Sequence, residues 1–149
     1  MVLKKAIIQF EGASVSDFHQ IKQYIFDFEL DNREPRLEQF LVAKHNTQIL
    51  GFGRIRHYDT CDELCSLGVI HSERLKGIGK QLVKKLIETA MHPLYLVCII
   101  PEFFEPLDFS IVDEYPTAIK EKIDYCTSQL PVPEKYVVMI HKNIMPDHF

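Results

Sequence analysis

The chain has 149 residues, of which 46% are apolar and 26% charged, with a formal net charge of −4. This length and balance predict one domain over residues 1–149 with a sizeable buried core. The acidic balance argues against nucleic-acid and anionic-membrane partners, which favour basic surfaces, and the longest apolar run is too short to span a bilayer. The four cysteines form no CxxC pair, so we expect reduced thiols in a cytoplasmic protein.

The first part of the chain predicts a strand, a helix and a hairpin. Ser14 or Ser16 can cap the helix, and apolar residues follow at helical spacing up to Phe28. Pro35 and neighbouring charges predict a loop after the helix. The predicted elements are a strand over 5–10, a helix over about 14–28, a loop over 31–36, strands over 40–44 and 49–58, a turn over 59–62 and a strand starting at Glu63.

The second part alternates helices and strands. A clear apolar face predicts a helix from Gly79 to Met91, which Pro93 would end, and a short apolar run then predicts a buried strand. The remaining predicted elements are a strand over 94–100, helical turns over 102–107, a strand over 109–112, a helix over 116–126, a linker over 129–134, a strand over 136–141 and a tail over 143–149.

A glycine-rich turn over residues 74–79 opens the helix that starts at Gly79. Its two glycines let the backbone bring N–H groups close to an anion, and the helix dipole adds positive charge. A Walker loop is excluded because Gln81 follows Gly79-Lys80, and a dinucleotide fingerprint is excluded because Leu82 stands where it needs a third glycine. Alone, the turn is equally consistent with a strand-to-helix connection that binds nothing.

The segment before this turn gives it a context. Residues 63–70 read E-L-C-S-L-G-V-I, and after a three-residue link the turn reads R-L-K-G-I-G. This order and spacing resemble the signature of the GNAT superfamily of N-acetyltransferases. The resemblance implies an α/β (α+β) fold with a mixed, mostly antiparallel sheet of about seven strands, flanked by helices on both faces. The central strands of that sheet separate where the cofactor enters.

The resemblance also implies acetyl-CoA as the acyl donor. Backbone N–H groups from Arg74 to Gly79 would hold its pyrophosphate, and backbone groups of Leu67 and Val69 would pair with the pantetheine arm. The implied cofactor-binding residues are Leu67, Gly68, Val69, Arg74, Leu75, Lys76, Gly77, Ile78, Gly79 and Lys80. The seven scattered histidines form no metal-ligand pattern, so we expect no metal site.

Acetyl transfer to an amine calls for a general base, because most primary amines are protonated at neutral pH. Glu63 stands where the family often places a carboxylate, and we expect it to act through water; a solvent-facing strand-end glutamate is the alternative. The N–H of Val69 would stabilise the oxyanion in the family pattern. Phe104 stands where many relatives carry a proton-donating tyrosine, so the general acid stays open.

A second resemblance concerns the acceptor. Residues 102–109 and 115–119 are similar to the end of N-acetylglutamate synthase domains. A small α-amino acid such as glutamate would then be the acceptor, and guanidinium groups match its carboxylates. Arg54 and Arg56 alternate on one strand and so share a face, and Arg36 lies in the preceding loop.

These patterns predict an N-acetyltransferase that moves acetyl from acetyl-CoA to a primary amine of a small molecule by direct attack in a ternary complex. The alternative is a non-catalytic acyl-CoA-binding sensor or partner subunit, which Phe104 keeps open. Family members often pair through their C-terminal strands, so 136–141 is the candidate contact for a homodimer.

Overall fold

The computed structural model describes residues 7–74 and 76–142. In chain order the elements are β1 Gln9–Gly12, α1 Val15–Asp27, β2 Phe40–His45, β3 Gln48–His57, β4 Asp62–Val69, α2 Ile78–Ile87, β5 Leu94–Cys98, α3 Pro101–Phe104, β6 Phe109–Ile111, α4 Thr117–Gln129 and β7 Val137–His141. None of these helices combines the length and the hydropathy that crossing a bilayer requires.

All seven strands join one sheet in the order β1-β2-β3-β4-β5-β7-β6. Every neighbouring pair is antiparallel except β4 and β5, which are parallel. Those two strands pair only where Asp62 faces Leu94 and Glu63 faces Tyr95, and within the described residues their ladder goes no further. The predicted mixed, mostly antiparallel sheet is confirmed, and β4 and β5 separate just beyond Glu63.

Helices cover both faces of the sheet. One face packs against α2 and α3 through Val83, Leu86, Leu96, Phe104 and Phe109. The other packs against α1 through Ile21, Ile25, Phe40, Val42 and Phe52, and against α4 through Ile119, Cys61 and Val138. Polar side chains at the centre of this second face, between α1 and α4, form the candidate site.

The helix starts and ends refine the sequence predictions. Ser14 caps α1 as one of the two predicted serines, in a box where its hydroxyl accepts from the N–H of Asp17 and its own N–H donates to that carboxylate. Helix α2 ends at Ile87, not at Met91, because Oδ2 of buried Asp62 accepts the N–H groups of Met91 and His92 at 2.7 and 3.0 Å.

Other element boundaries also differ, and β5 and β6 end at Cys98 and Ile111 instead of at residues 100 and 112. Strand β1 covers Gln9–Gly12 instead of 5–10, of which residues 5 and 6 lie outside the described part of the chain. The last helix continues to Gln129, where Leu130 N–H still bonds the Cys126 carbonyl. A short 3-10 turn, Leu37–Gln39, precedes β2 and had no signal in the hydrophobic pattern.

Candidate active site

The glycine turn has the backbone geometry of an anion site. Gly77 precedes α2 with a φ of 83°, a conformation that favours glycine, and no side chain among the described residues caps the helix there. A Cβ on Gly79 would lie 3.3 Å from the ring of Phe103, so this glycine allows α2 to approach α3. Leu75, also predicted to bind cofactor, lies outside the described residues.

The lysines of the turn lie at the surface. Lys76 pairs with Glu73 at 2.8 Å, and Lys80 is exposed. Ile78, in contrast, is buried and anchors the start of α2 in the core. The backbone, and not these side chains, therefore provides the fixed part of the turn.

The end of β4 presents alternate backbone groups to the gap between β4 and β5. Ile70 N–H bonds Leu50 O on β3, so by strand alternation the backbone groups of Leu67 and Val69 point the other way, into the gap. Arg74 Nε donates to Val69 O at 3.0 Å and connects the turn to this strand. Gly68 is needed for packing, because a Cβ there would meet the Phe52 ring at 2.6 Å.

A β-bulge interrupts β4 next to this gap. Two residues of β4, Ser66 and Leu67, lie opposite the single residue Gly53, and Ser66 has a φ of 53°. The bulge turns the Ser66 side chain to the face of α1 and α4. There its hydroxyl accepts from Arg54 Nε at 2.9 Å and donates to the Asp31 carbonyl at 2.8 Å.

Glu63, the predicted base, is enclosed at the point where β4 and β5 separate. Its side chain is 0% exposed, so the interpretation as a solvent-facing strand-end glutamate is wrong. Tyr58 donates a hydrogen bond to Oε1 at 2.9 Å, and Arg33 Nη2 lies 3.6 Å from the same oxygen. Lys122 Nζ lies 3.1 Å from Oε2 at ion-pair distance, although no described group completes a hydrogen bond there.

Asp31 balances two of these cations. It accepts hydrogen bonds from Arg33 and, at 2.7 Å, from Lys122 Nζ. Burial alone would raise the pKa of Asp31, but the Arg33 hydrogen bonds and the Lys122 charge hold it well below its ordinary value. Burial would likewise lower the pKa of Lys122, yet Glu63 first, and then Cys65 and Asp31, hold it well above its ordinary value.

The Lys122 ammonium occupies a position that resembles a cation site. Donor atoms of Asp31, Glu63 and Cys65 lie within 4.8 Å of one another. Lys122 already supplies the positive charge between the two carboxylates, and Arg33 adds another. A metal ion would face electrostatic repulsion from both cations, so this donor set does not fit one.

Arg54, a predicted substrate-binding residue, holds the loop between α1 and β2. It is 0% exposed, and its guanidinium donates four hydrogen bonds: to Ser66 Oγ, Gln39 Oε1, and the carbonyls of Asp31 and Arg33. Because these hydrogen bonds occupy its guanidinium, Arg54 holds the loop in place and does not offer a ligand two free parallel N–H donors.

The other two predicted arginines differ in exposure. Arg56 faces Glu63 across the β3–β4 ladder and lies over the Tyr58 ring at 5.5 Å; its Nη1 is buried and has no hydrogen-bond partner among the described residues. Arg36 is exposed at the start of the turn before β2. Of the three, Arg56 has a buried donor left for a ligand.

Phe104 is part of the core. It is buried and packs edge-on against Phe103 and Phe109, so the position where many relatives carry tyrosine holds an apolar ring.

The sequence prediction does not include four residues of the cluster around Glu63: Tyr58, Asp31, Arg33 and Lys122. The alternation of Tyr58 with Arg56 at the end of the predicted strand 49–58 is a signal for the first of them, whereas the others come from distant loops and helices.

An open groove of about 630 Å³ runs beside this cluster. Residues 57–61 of the turn between β3 and β4 form one wall, and residues 116–118 at the start of α4 form the other. Tyr58 belongs to the groove and to the cluster, because the residue lines the first and its hydroxyl bonds Glu63 in the second.

Known structures share this architecture. N-acetylglutamate synthase from Neisseria gonorrhoeae, solved with coenzyme A and N-acetyl-glutamate, matches 93% of this chain and 35% of its own at 17% identity and a TM-score of 0.73. Rv2747 from Mycobacterium tuberculosis, solved with CoA, matches over 89% and 97% at 17% identity and a TM-score of 0.73. ElaA from Escherichia coli matches over 91% and 100% at 18% identity and a TM-score of 0.67. The chain thus spans about a third of the synthase, and these identities show a shared fold.

In this fold the central strands β4 and β5 separate beside a helix that follows a glycine turn. These features define the class of acyltransferase folds to which the neighbours belong. Residues 6–102 match the acetyltransferase (GNAT) family. The chain belongs to that family, and this membership places it among the acyl-CoA-dependent N-acetyltransferases. The resemblance seen in residues 63–79 is confirmed.

Proposed function

We propose that the chain transfers the acetyl group of acetyl-CoA to the primary amine of a small molecule that carries a carboxylate, such as the α-amino acid glutamate. The family gives the reaction class, and solved neighbours that hold coenzyme A support acetyl-CoA as the donor. The acceptor is inferred from the charges around Glu63.

The observation that carries this proposal is an excess of positive charge in and around the buried cluster at Glu63. Arg33, Arg54 and Lys122 are paired with only two carboxylates, those of Asp31 and Glu63. Arg56 adds a further cation whose buried Nη1 has no hydrogen-bond partner in the described part of the chain. An unsatisfied buried donor on a cation is costly, so an acceptor carboxylate that pairs with Arg56 would stabilise the cluster.

Donor and acceptor would meet where β4 and β5 separate. The turn over residues 74–79 would hold the pyrophosphate, and the backbone of Leu67 and Val69 would pair with the pantetheine arm. The thioester would then lie in the gap between Leu67 and Glu63, with the Leu67 N–H as donor to the developing oxyanion, because Val69 is six residues, roughly 20 Å, along β4 from Glu63. The acceptor nitrogen forms the C–N bond, the C–S bond breaks, and Glu63 is the final acceptor of the amine's first proton.

Thiol release from acetyl-CoA with matched acceptors tests the proposal. We expect glutamate or a related amino acid to be acetylated. For its amide or decarboxylated analogue, kcat/KM should be about 100-fold lower, as for loss of a buried charge partner.

Arg56→Met should raise the KM for the amino acid and leave coenzyme A affinity unchanged. Lys120→Met, an exposed change on α4, is the matched control. Equal turnover of carboxylated and uncarboxylated amines would contradict the acceptor assignment.

One observation favours a second function. Because Phe104 is a buried core ring, this position offers no proton donor for the departing thiolate. A domain that binds acyl-CoA without turnover, as a sensor or partner subunit, would show calorimetric coenzyme A binding and no thiol release with any amine tested.

A further inference from the structure

Glu63 cannot be reached from solvent directly. Its carboxylate is 0% exposed, and it is connected to the groove between the β3–β4 turn and the start of α4 through Tyr58, which lines that groove and bonds Glu63. An amine bound in the groove would therefore need an intermediate group to pass its proton to Glu63. The intermediate group must contact Glu63, face the groove, and both accept and donate a proton.

Three described side chains have a proton-donating group within 4 Å of the Glu63 carboxylate: Tyr58, Arg33 and Lys122. The guanidinium and the ammonium are donors only, and their charged partners hold the pKa of each well above its ordinary value. Neither accepts a proton. Tyr58 differs because its hydroxyl donates to Glu63 Oε1 at 2.9 Å and keeps lone pairs with which to accept.

Tyr58 is also held in place. Its backbone N–H bonds Cys61 O at 2.9 Å across the β3–β4 turn, and the Arg56 guanidinium lies 5.5 Å from its ring centre. Tyr58 is half-buried, is one of the residues that line the groove, and packs with the apolar cluster around Ile119. Among the residues that line this groove, Tyr58 alone bonds Glu63 within the described ranges.

We propose that Tyr58 is a catalytic residue that relays the acceptor's proton from the groove to Glu63. The inference rests on the proposed function, since it needs an amine to be acetylated there. Tyr58 Oη accepts a proton from the bound ammonium while its own hydroxyl proton moves to Glu63 Oε1, so tyrosine stays neutral and Glu63 becomes a carboxylic acid. Burial first, and then the charge of Glu63, raise the pKa of Tyr58, which is consistent with a hydroxyl that passes protons without ionising.

The rest of the reaction balances on this transfer. The freed lone pair of the nitrogen attacks the thioester carbonyl carbon, the C–N bond forms, and the C–S bond breaks with its electron pair on sulfur. A second proton leaves the nitrogen and neutralises the thiolate. The first proton returns from Glu63 through Tyr58 to solvent after the product leaves, and the site is reset.

The test is Tyr58→Phe, which keeps the ring and removes the hydroxyl. We expect kcat at neutral pH to fall by about 100-fold or more, with unchanged affinity for coenzyme A. The loss should shrink as pH approaches the amine pKa, because the acceptor then binds already neutral. Charged or titratable groups from every element around Glu63 influence the pH profile of kcat. They are Arg56 and Tyr58 from β3 and the turn after it, Asp31 and Arg33 from the loop between α1 and β2, Cys65 from β4, and Lys122 from α4.

Two comparisons separate a relay from a structural role. The double variant Tyr58→Phe/Glu63→Gln should be no slower than Glu63→Gln alone, because the two substitutions interrupt the same proton path. Tyr115→Phe removes a hydroxyl from the same apolar cluster and should keep full activity. A Tyr58→Phe loss that is equal at every pH, or additive with Glu63→Gln, would overturn the relay.

The relay can fail without the proposed function failing. Wild-type turnover of an amino acid with an equally active Tyr58→Phe variant overturns the relay alone, whereas no wild-type turnover with any amine overturns both. If Tyr58→Phe does not fold, 3,5-difluorotyrosine at position 58 keeps the hydroxyl and lowers its pKa. The relay then predicts a shifted pH profile of kcat, and an unchanged profile contradicts it.

Discussion

Lys122 on the last helix donates a 2.7 Å hydrogen bond to Asp31, which lies 91 positions earlier in the loop after the first helix. Both side chains are almost completely enclosed, and the same ammonium reaches Glu63 on the central sheet at 3.1 Å. This one cation therefore connects three separate parts of the fold, the loop, the sheet and α4, at the candidate active site.

Replacing that cation tests how much it stabilises the fold. Lys122→Met keeps the length of the side chain and leaves Asp31 and Glu63 with fewer cations, so the free energy of unfolding should drop by about 3–5 kcal/mol. Urea denaturation measures it. Lys120→Met, which breaks an exposed pair with Asp124 on the same helix, should cost less than about 0.5 kcal/mol. Equal losses in the two variants would contradict the buried-pair interpretation.

The Asp31–Lys122 pair also predicts how stability depends on pH. The folded pKa of Asp31 lies well below its ordinary 3.8, so its contribution is present above that pH and is lost as pH falls further. The folded pKa of Lys122 lies well above its ordinary 10.5, so its contribution is complete below that pH and declines above it.

Denaturant midpoints across pH at constant ionic strength check this profile. Wild-type stability should decline below about pH 4 and above about pH 10.5. The Asp31→Asn variant should be less stable at neutral pH and should show a shallower acid decline than wild type. Parallel acid limbs in the two proteins would show that other carboxylates, not Asp31, set this dependence.

Gly77 should matter both for backbone conformation and for donor binding. At its φ of 83° an alanine is strained by about 1–2 kcal/mol, although its Cβ has open space around it. Gly77→Ala should therefore lower stability modestly and weaken coenzyme A binding, and Gly77→Glu should abolish binding by repelling the pyrophosphate. Isothermal calorimetry measures both. Gly12→Ala, at an exposed position with equally open space, should leave coenzyme A affinity unchanged.

The cysteines should take no part in acyl transfer. All four are buried, and burial first, then the charge of Glu63, raise the pKa of Cys65 to about 12. The native protein should react slowly with a disulfide reagent and expose four thiols on unfolding. Cys65→Ala should keep most activity, as direct attack requires, with Cys126→Ala as the buried control. Trapping of an acetyl group on Cys65 would contradict direct attack.

What the sequence predicts well is local in the chain. The strand from Glu63 and the turn ending at Gly79 lie within 17 residues, so their order and spacing indicate the fold, which is confirmed, while the cofactor-binding residues assigned to them stay a prediction. The cluster around Glu63 was not visible in this way, because Asp31 and Lys122 meet only after the sheet has formed. Arg54 was correctly placed on a face with Arg56, but strand periodicity does not show that four protein acceptors occupy its guanidinium.

The bulge at Ser66 restricts how the central strand can change during evolution. Because two residues of β4 lie opposite the single residue Gly53, Glu63 and Cys65 face α4 while Leu67 faces α2. Deletion of Ser66 would restore regular alternation and leave these side chains on their present faces, but it would remove the hydroxyl that joins Arg54 to the Asp31 carbonyl. Insertion of one more residue between Glu63 and Leu67 would turn the residues on one side of it to the opposite face. Surface loops tolerate insertions and deletions, but in this segment an insertion would turn Glu63 or Leu67 to the other face, and a deletion would remove a buried hydrogen-bonding side chain. Substitution is therefore the route by which this stretch can diversify.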